Sequence, residues 1–211
     1  MGARISAAGR PIRDVFQATR AVPAYQRDYA WQPKRQVKNL WEDLQQHLAA
    51  YVEDDYLLGP IITTSGSKPD IIDGQQRLIT LFLMQAAFRY RLLELGGDSQ
   101  FINQISIGLV EYDEVEGKQH PRIRHHDPLA EERLLQIATL NPSVDDARKM
   151  RATNKSISTR RIVFAYLHLL KSVDELGGDV EVVERIIRRI RSQVQLIEIV
   201  TEDALQAIYV F

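Results

Sequence analysis

Residues 75 to 94, "QQRLITLFLMQAAFRYRLLE", constrain the fold of this chain more than any other stretch. Apolar side chains crowd the run at helical spacing, and Gly96-Gly97 stops it, so it reads as a buried helix. Two β-branched segments stand directly before it. "YLLGPIITT" (56–64) reads as a strand with Gly59-Pro60 bending its entry, "SGSKP" as a loop, and "DIID" (70–73) as a second strand paired with the first.

The joint between the second strand and the helix is Asp73-Gly74-Gln75-Gln76-Arg77. One reading is a plain helix start. Asp73 would be the N-cap, Gln76 three residues on would complete a capping box, and Gly74 would relieve the turn. That reading leaves Gln75 and Arg77 unexplained, since a cation in the first turn opposes the helix macrodipole. The other reading is a phosphate site. Free N–H groups at a helix start attract anions, and the Arg77 fork fits phosphate oxygens. Asp73 would then hold a magnesium ion or orient a water, because a bare carboxylate beside phosphate is repulsive. The chain has no Walker-type glycine loop, so a nucleotide site here would be of another kind.

The other elements fall in place around this unit. Val37, Leu40, Trp41, Leu44, Leu48 and Val52 share one face of a helix over 34–52, with Pro33 near its start. "RIRH" (122–125) is a candidate strand. Asp127 and Pro128 open a helix that Asn141-Pro142 ends. Two more helices span 158–175 and 180–193, "VQLIEIV" (194–200) is a strand, and Thr201 is placed to cap a final helix from 202 onward. These elements make an α+β protein. The closing "QAIYVF" breaks off in an apolar run with no cap, as expected of the N-terminal piece of a longer protein.

The 211 residues are 45% hydrophobic and 26% charged, a globular balance, and contain no cysteine. Disulfide frameworks, zinc–cysteine sites and thiol nucleophiles are excluded, which suits a cytoplasmic protein. No segment has signal-peptide character or the length to span a bilayer, so no membrane partner is expected. The net charge of -1 hides an uneven distribution. Residues 1–40 carry eight Lys or Arg against two acids, and residues 148–161 carry six and none. Such patches are either solvated surface or anion-attracting ground for a nucleic acid backbone.

"VPAYQRDYAW" (22–31) interleaves Tyr25, Tyr29 and Trp31 with Gln26 and Arg27. Aromatic rings among cationic and amide groups suit base stacking and phosphate contact, though part of such a loop must pack into the core.

"VPAYQRDYAW", "LWEDL", "YLLGPIIT" and "IIDGQQRLITLFLM", in this order and spacing, resemble the family called domain of unknown function 262, the N-terminal part of the GmrSD modification-dependent restriction enzymes. The chain also resembles the N-terminal domain of the SspE-type effectors of phosphorothioate-dependent anti-phage defence. The match is dense over 11–95 and looser over 120–200. The resemblance implies a ParB/sulfiredoxin-like small sheet with helices over 1–97, carrying nucleotide binding. A mainly helical continuation of the same domain follows over 98–211, truncated at its C-terminus. It implies a nucleoside triphosphatase (a GTPase or broader NTPase) with Asp73, Gln75, Gln76 and Arg77 catalytic, and magnesium on Asp73. Gly74, Gln75, Gln76, Arg77, Tyr25, Gln26 and Arg27 would bind the nucleotide. An HNH-type nuclease domain of the same chain would be its partner, with DNA, backbone- or base-modified, as the sensed ligand; a homo-oligomer is compatible. Candidate DNA contacts are Val22, Pro23, Tyr25, Arg27, Lys34, Arg35, Arg148, Arg151 and Lys155.

Other clusters carry less. His120, His125, His126 and Asp127 lack metal-site spacing, and adjacent strand histidines point to opposite faces. His47 and His168 read as structural, and Arg185, Arg188, Arg189 and Arg191 as an exposed helix face. A competing function is a DNA-binding module without turnover, its joint purely structural. A nuclease within the chain itself finds no carboxylate cluster with two-metal spacing.

Overall fold

The computed structural model describes residues 5–50, 54–153 and 156–202. Strand β1 (Ile5–Pro11) leads into a single helical turn, α1 (Ile12–Val15), and a short strand, β2 (Arg20–Val22). After the aromatic loop, a π-helical turn (Pro33–Val37) opens α2 (Lys38–Ala50). β3 (Tyr56–Thr64) and β4 (Ile71–Asp73) pair antiparallel and run into α3 (Gln75–Leu95). α4 (Ser99–Ile107) precedes a hairpin of β5 (Val110–Asp113) and β6 (Lys118–Pro121), then β7 (Ile123–His125). Helices α5 (Pro128–Leu140), α6 (Val144–Thr153), α7 (Ile157–Asp174) and α8 (Val180–Gln193) follow, and β8 (Val194–Thr201) closes the described chain. The protein is α+β.

The main sheet has the order β1-β8-β3-β4. β8 lies antiparallel to β1 and parallel to β3, with Ile61 opposite Glu198. A strand from the second, mainly helical portion therefore sits inside the sheet that carries the joint. β2 and β7 form a small parallel pair, tied to the β4 region by a bridge between Ala21 and Asp70. Buried Arg20 joins this pair to the main sheet through its ion pair with Glu198 at 2.6 Å.

α3 is the axis of the core. Leu78, Ile79, Leu81, Phe82, Leu83, Met84 and Phe88 are all fully buried. It packs against α4, α5, α7 and α8, and Phe82 and Phe88 meet Phe16 and Trp41 in tilted ring contacts. Burial on every side explains the absence of a polar stripe in its sequence. Gly96, left-handed at φ 69, ends it by the expected glycine stop. In α2, Val37, Leu40, Trp41, Leu44 and Leu48 are buried as the spacing requires; Val52 lies outside the described residues, as does the helix expected from 202 onward beyond Glu202.

Several elements went unread in the sequence. β1 is exposed along nearly its whole length and shows no alternation. α4 begins at Asp98, whose side chain accepts from the Phe101 N–H. α6 begins at a reciprocal box, with Asp146 N–H donating to the Ser143 hydroxyl and Ser143 N–H to the Asp146 carboxylate. One expectation is corrected on α8. Arg185 and Arg188 are exposed, but Arg189 reaches the Leu48 carbonyl at 3.0 Å and Arg191 is buried, so the four arginines do not form one solvated face.

Candidate functional site

The joint is built on Gly74. Its φ of 89 is left-handed, and a Cβ there would lie 2.7 Å from the Ile61 Cγ2 on β3. Only glycine meets both demands, which accounts for the Asp-Gly pair. Asp73 ends β4 opposite Ile62, and its side chain is exposed. The expected capping box is not formed. The N-cap is Gly74, with no side-chain cap. The Asp73 side chain makes no hydrogen bond or ion pair among the described residues, and Gln76 turns the other way. The first helical bond runs from Leu78 N–H to the Gly74 carbonyl. The amides of Gln75, Gln76 and Arg77 therefore precede the helical ladder and form the donor end of a 21-residue helix.

The two glutamines take opposite roles. Gln76 clamps the aromatic loop: its Oε1 accepts from Ala30 N–H at 2.7 Å and its Nε2 donates to the Asp28 carbonyl at 3.1 Å. Beneath this clamp the Tyr29 hydroxyl meets Thr80 Oγ1 at 2.8 Å, and burial pushes the Tyr29 pKa well up. Gln26 adds a second tie, donating to the Ile72 carbonyl at 2.5 Å. Gln75 is only 3% exposed, yet neither its Oε1 nor its Nε2 has a hydrogen-bond partner. A buried carboxamide without partners is costly, roughly 1–3 kcal/mol per unmade bond, and few native groups are left so.

Arg77 has a partner within the fold. Its Nη1 donates to the Pro60 carbonyl at 2.6 Å, and its guanidinium lies against Gly59, where a Cβ would come within 3.5 Å. Part of its oddity as a cation in a first helical turn is thus explained by the bent entry of β3.

Gln26, Arg27, Trp31, Asp73, Gly74, Gln75, Gln76 and Arg77 together line a cavity of about 170 Å³. The fold brings the two motif stretches to one place. Trp31 is the lining residue that sequence reasoning left out of the site; its signal was its place at the end of the same aromatic loop. Tyr25 is not part of the lining. It stands 55% exposed beside the cavity, and partial burial and then nearby Asp70 raise its pKa.

The proposed DNA contacts divide. Val22 is 2% exposed within β2 and offers no surface, because the β2–β7 pair buries it. Pro23 is half-buried, and Arg27, Lys34 and Arg35 are exposed. Arg148 and Arg151 are exposed on α6, where Arg148 pairs with Asp145 at 2.7 Å and Arg151 covers the Phe164 ring at 4.8 Å. Lys155 lies outside the described residues. Among the described residues there is no group of three His, Asp or Glu able to hold a metal ion, and no helix long and apolar enough to cross a membrane.

No curated protein matches the chain. The model of one family, described as GmrSD restriction endonuclease, N-terminal domain, matches residues 12–211. That span holds the aromatic loop, the joint and every described strand except β1, so the chain belongs to the family of GmrSD restriction endonuclease N-terminal domains.

Proposed function

We propose that the joint binds and hydrolyses a nucleoside triphosphate, with magnesium, and that this chain is the modified-DNA-sensing, regulatory part of a restriction nuclease. The observation that carries this reading is the Gln75 carboxamide, buried and unpartnered in the wall of the joint cavity. A phosphate oxygen or an attacking water would satisfy it. The cavity volume of about 170 Å³ suits phosphate groups, not a whole nucleotide, since small-molecule sites run to roughly 300–1,000 Å³. The base and ribose would lie along the aromatic loop beside Trp31. The free amides of Gln75, Gln76 and Arg77 would face the phosphates, and Arg27 would close over them from the loop.

Asp73 is the one carboxylate among the lining residues. That fits magnesium, which commonly takes one or two carboxylates and fills its shell with water and substrate phosphate. The ion would supply charge neutralisation on the phosphates; Asp73 would hold it or orient water.

The DNA surface in this reading is Pro23, Tyr25 and Arg27, with Lys34 and Arg35 on the following turn and Arg148 and Arg151 elsewhere. The Tyr25 ring offers an exposed apolar face for a phosphorothioate sulfur, which is larger and less well hydrated than oxygen. A nuclease domain of the same polypeptide would be the partner.

A second reading, a DNA-binding module without turnover, is favoured by one observation: Gln76 and Arg77 are both engaged within the fold. Phosphate release with each triphosphate, with and without phosphorothioate DNA, separates the two. Release that depends on Asp73 supports the first. No release under any condition, with salt-dependent DNA binding retained, establishes the second.

A further inference from the structure

Away from the joint, α1, α4 and α8 enclose a groove of about 860 Å³ that shares no lining residue with the joint cavity. Arg13, Arg188 and Arg191 line it, with Phe101, Gln17 and Gln104. The apolar stripe of α8 (Val183, Ile187, Ile190) is buried in the core. Arg188 and Arg191, one turn apart, both lie over the Phe101 ring, with guanidinium carbons 3.8 and 5.3 Å from its centroid.

The charges here do not balance. Arg13 has Asp14 at 3.6 Å and Arg188 has Glu184 at 3.3 Å. Arg191 is 7% exposed and its side chain makes no ion pair or hydrogen bond among the described residues; its Nε is buried without a partner. Burial, then the like charges of Arg13 and Arg188, lower its pKa to about 10, so it stays protonated at neutral pH. A cation–π contact offsets only part of the cost of burying a charge, and the rest calls for an anion.

The groove is also far larger than a single ion needs and falls within the usual range for small-molecule sites. Guanidinium forks match phosphate oxygens, and the Gln17 and Gln104 carboxamides can both donate to and accept from a heterocycle edge. We propose that the Arg13–Arg188–Arg191 groove binds a phosphate ester of nucleotide size, at a site separate from the Asp73 joint. The ester comes either from a free nucleotide or from a nucleotide within a strand.

The test is binding of adenosine monophosphate and of a short single-stranded DNA oligonucleotide to the 211-residue chain, by calorimetry. Arg13→Gln, Arg188→Gln and Arg191→Gln should each weaken binding about tenfold or more. Arg191→Gln should keep or raise the urea midpoint, since it removes a buried unpaired charge, an outcome that a purely structural arginine would not give. Should that variant fail to fold, Arg13→Gln and Arg188→Gln, both partly exposed, still decide the matter. Triphosphate hydrolysis at the joint should not depend on these three arginines, which line the groove and not the joint cavity, so the two sites are tested separately. Arginine-dependent binding of the oligonucleotide alone makes a strand the source of the phosphate. Binding that all three variants retain, or no binding of either probe, overturns the proposal.

Discussion

The Gln76 carboxamide bonds at both ends to the aromatic loop, while that of Gln75, one residue earlier and also buried, bonds to nothing at either end. The two side chains should therefore fail differently. Gln76→Ala removes two hydrogen bonds and leaves the Ala30 N–H and Asp28 carbonyl unpaired, which should lower stability by roughly 1–3 kcal/mol. Gln75→Met fills similar volume without the unpartnered amide, so stability should hold or rise while triphosphate binding falls. Urea unfolding paired with calorimetry reads both. A stable Gln75→Met protein with wild-type triphosphate affinity and turnover would remove Gln75 from the site.

Asp73 and Arg77 are separable in the same way. Asp73 caps nothing, so Asp73→Ala should leave stability within about 0.5 kcal/mol, as for ordinary surface substitutions, while abolishing turnover more than binding. Arg77→Ala should weaken triphosphate binding about ten- to a hundredfold, the loss of one charge-assisted contact. It also releases the Pro60 carbonyl, so circular dichroism and a urea midpoint must accompany the titration. An unaltered affinity in a folded Arg77→Ala protein would assign the arginine wholly to β3.

Gly74→Ala should cost roughly 1–3 kcal/mol from backbone strain alone, and more from the contact with Ile61. Gly74→Asn tolerates a left-handed φ better, yet its Cβ meets the same Ile61 methyl 2.7 Å away. Both variants should lower the urea midpoint with an unchanged slope. A well-tolerated Asn would mean that φ, not the close approach, dictates glycine.

How far the sequence carries can be judged at this joint. The β3–β4–α3 unit was legible because β-branched runs, a loop and paired glycines punctuate it. The capping box was a misreading of Gln76, since the pattern Asp-Gly-Gln-Gln says nothing of a loop some 46 residues earlier in the chain that competes for the same amide. Strand β8 was legible as a strand, but its parallel place beside β3 was not: register between distant segments leaves no local mark. β1 escaped because an exposed edge strand of small residues lacks alternation. Arg191 escaped because helical spacing alone does not say that α4 would cover it.

His125 gives the fold a pH dependence. It is 4% exposed, and its Nδ1 accepts from the Asp127 N–H at 3.0 Å, which requires a neutral ring. Burial, then the neighbouring His126, lowers its pKa from 6.5. The unfolded chain therefore takes up this proton first as pH falls. The stability contributed by neutral His125 is complete above about pH 6.5 and declines below it. His168, also lowered by burial, acts in the same direction. Urea midpoints between pH 7.5 and 5.5 should fall for the wild type and fall less for His125→Gln. An equal slope in both would place the titration elsewhere.

Sensing of modified DNA should rest on Tyr25 and Arg27, because the structure takes Val22 out of reach and leaves these two exposed beside the joint. Arg27 can position a backbone phosphate whatever its substitution, since a guanidinium contacts the charge, not the sulfur. The Tyr25 ring can tell sulfur from oxygen, because only the less hydrated atom gains from an apolar face. Tyr25→Ala should therefore lose the preference for phosphorothioate DNA with little change for plain DNA. Arg27→Ala should weaken both alike and reduce the salt dependence by about one counterion. Competition binding at one fixed salt concentration measures the ratio directly. A Tyr25→Ala protein that keeps the full preference would move the sensing surface to the basic face of α6, where Arg148 and Arg151 become the residues to test.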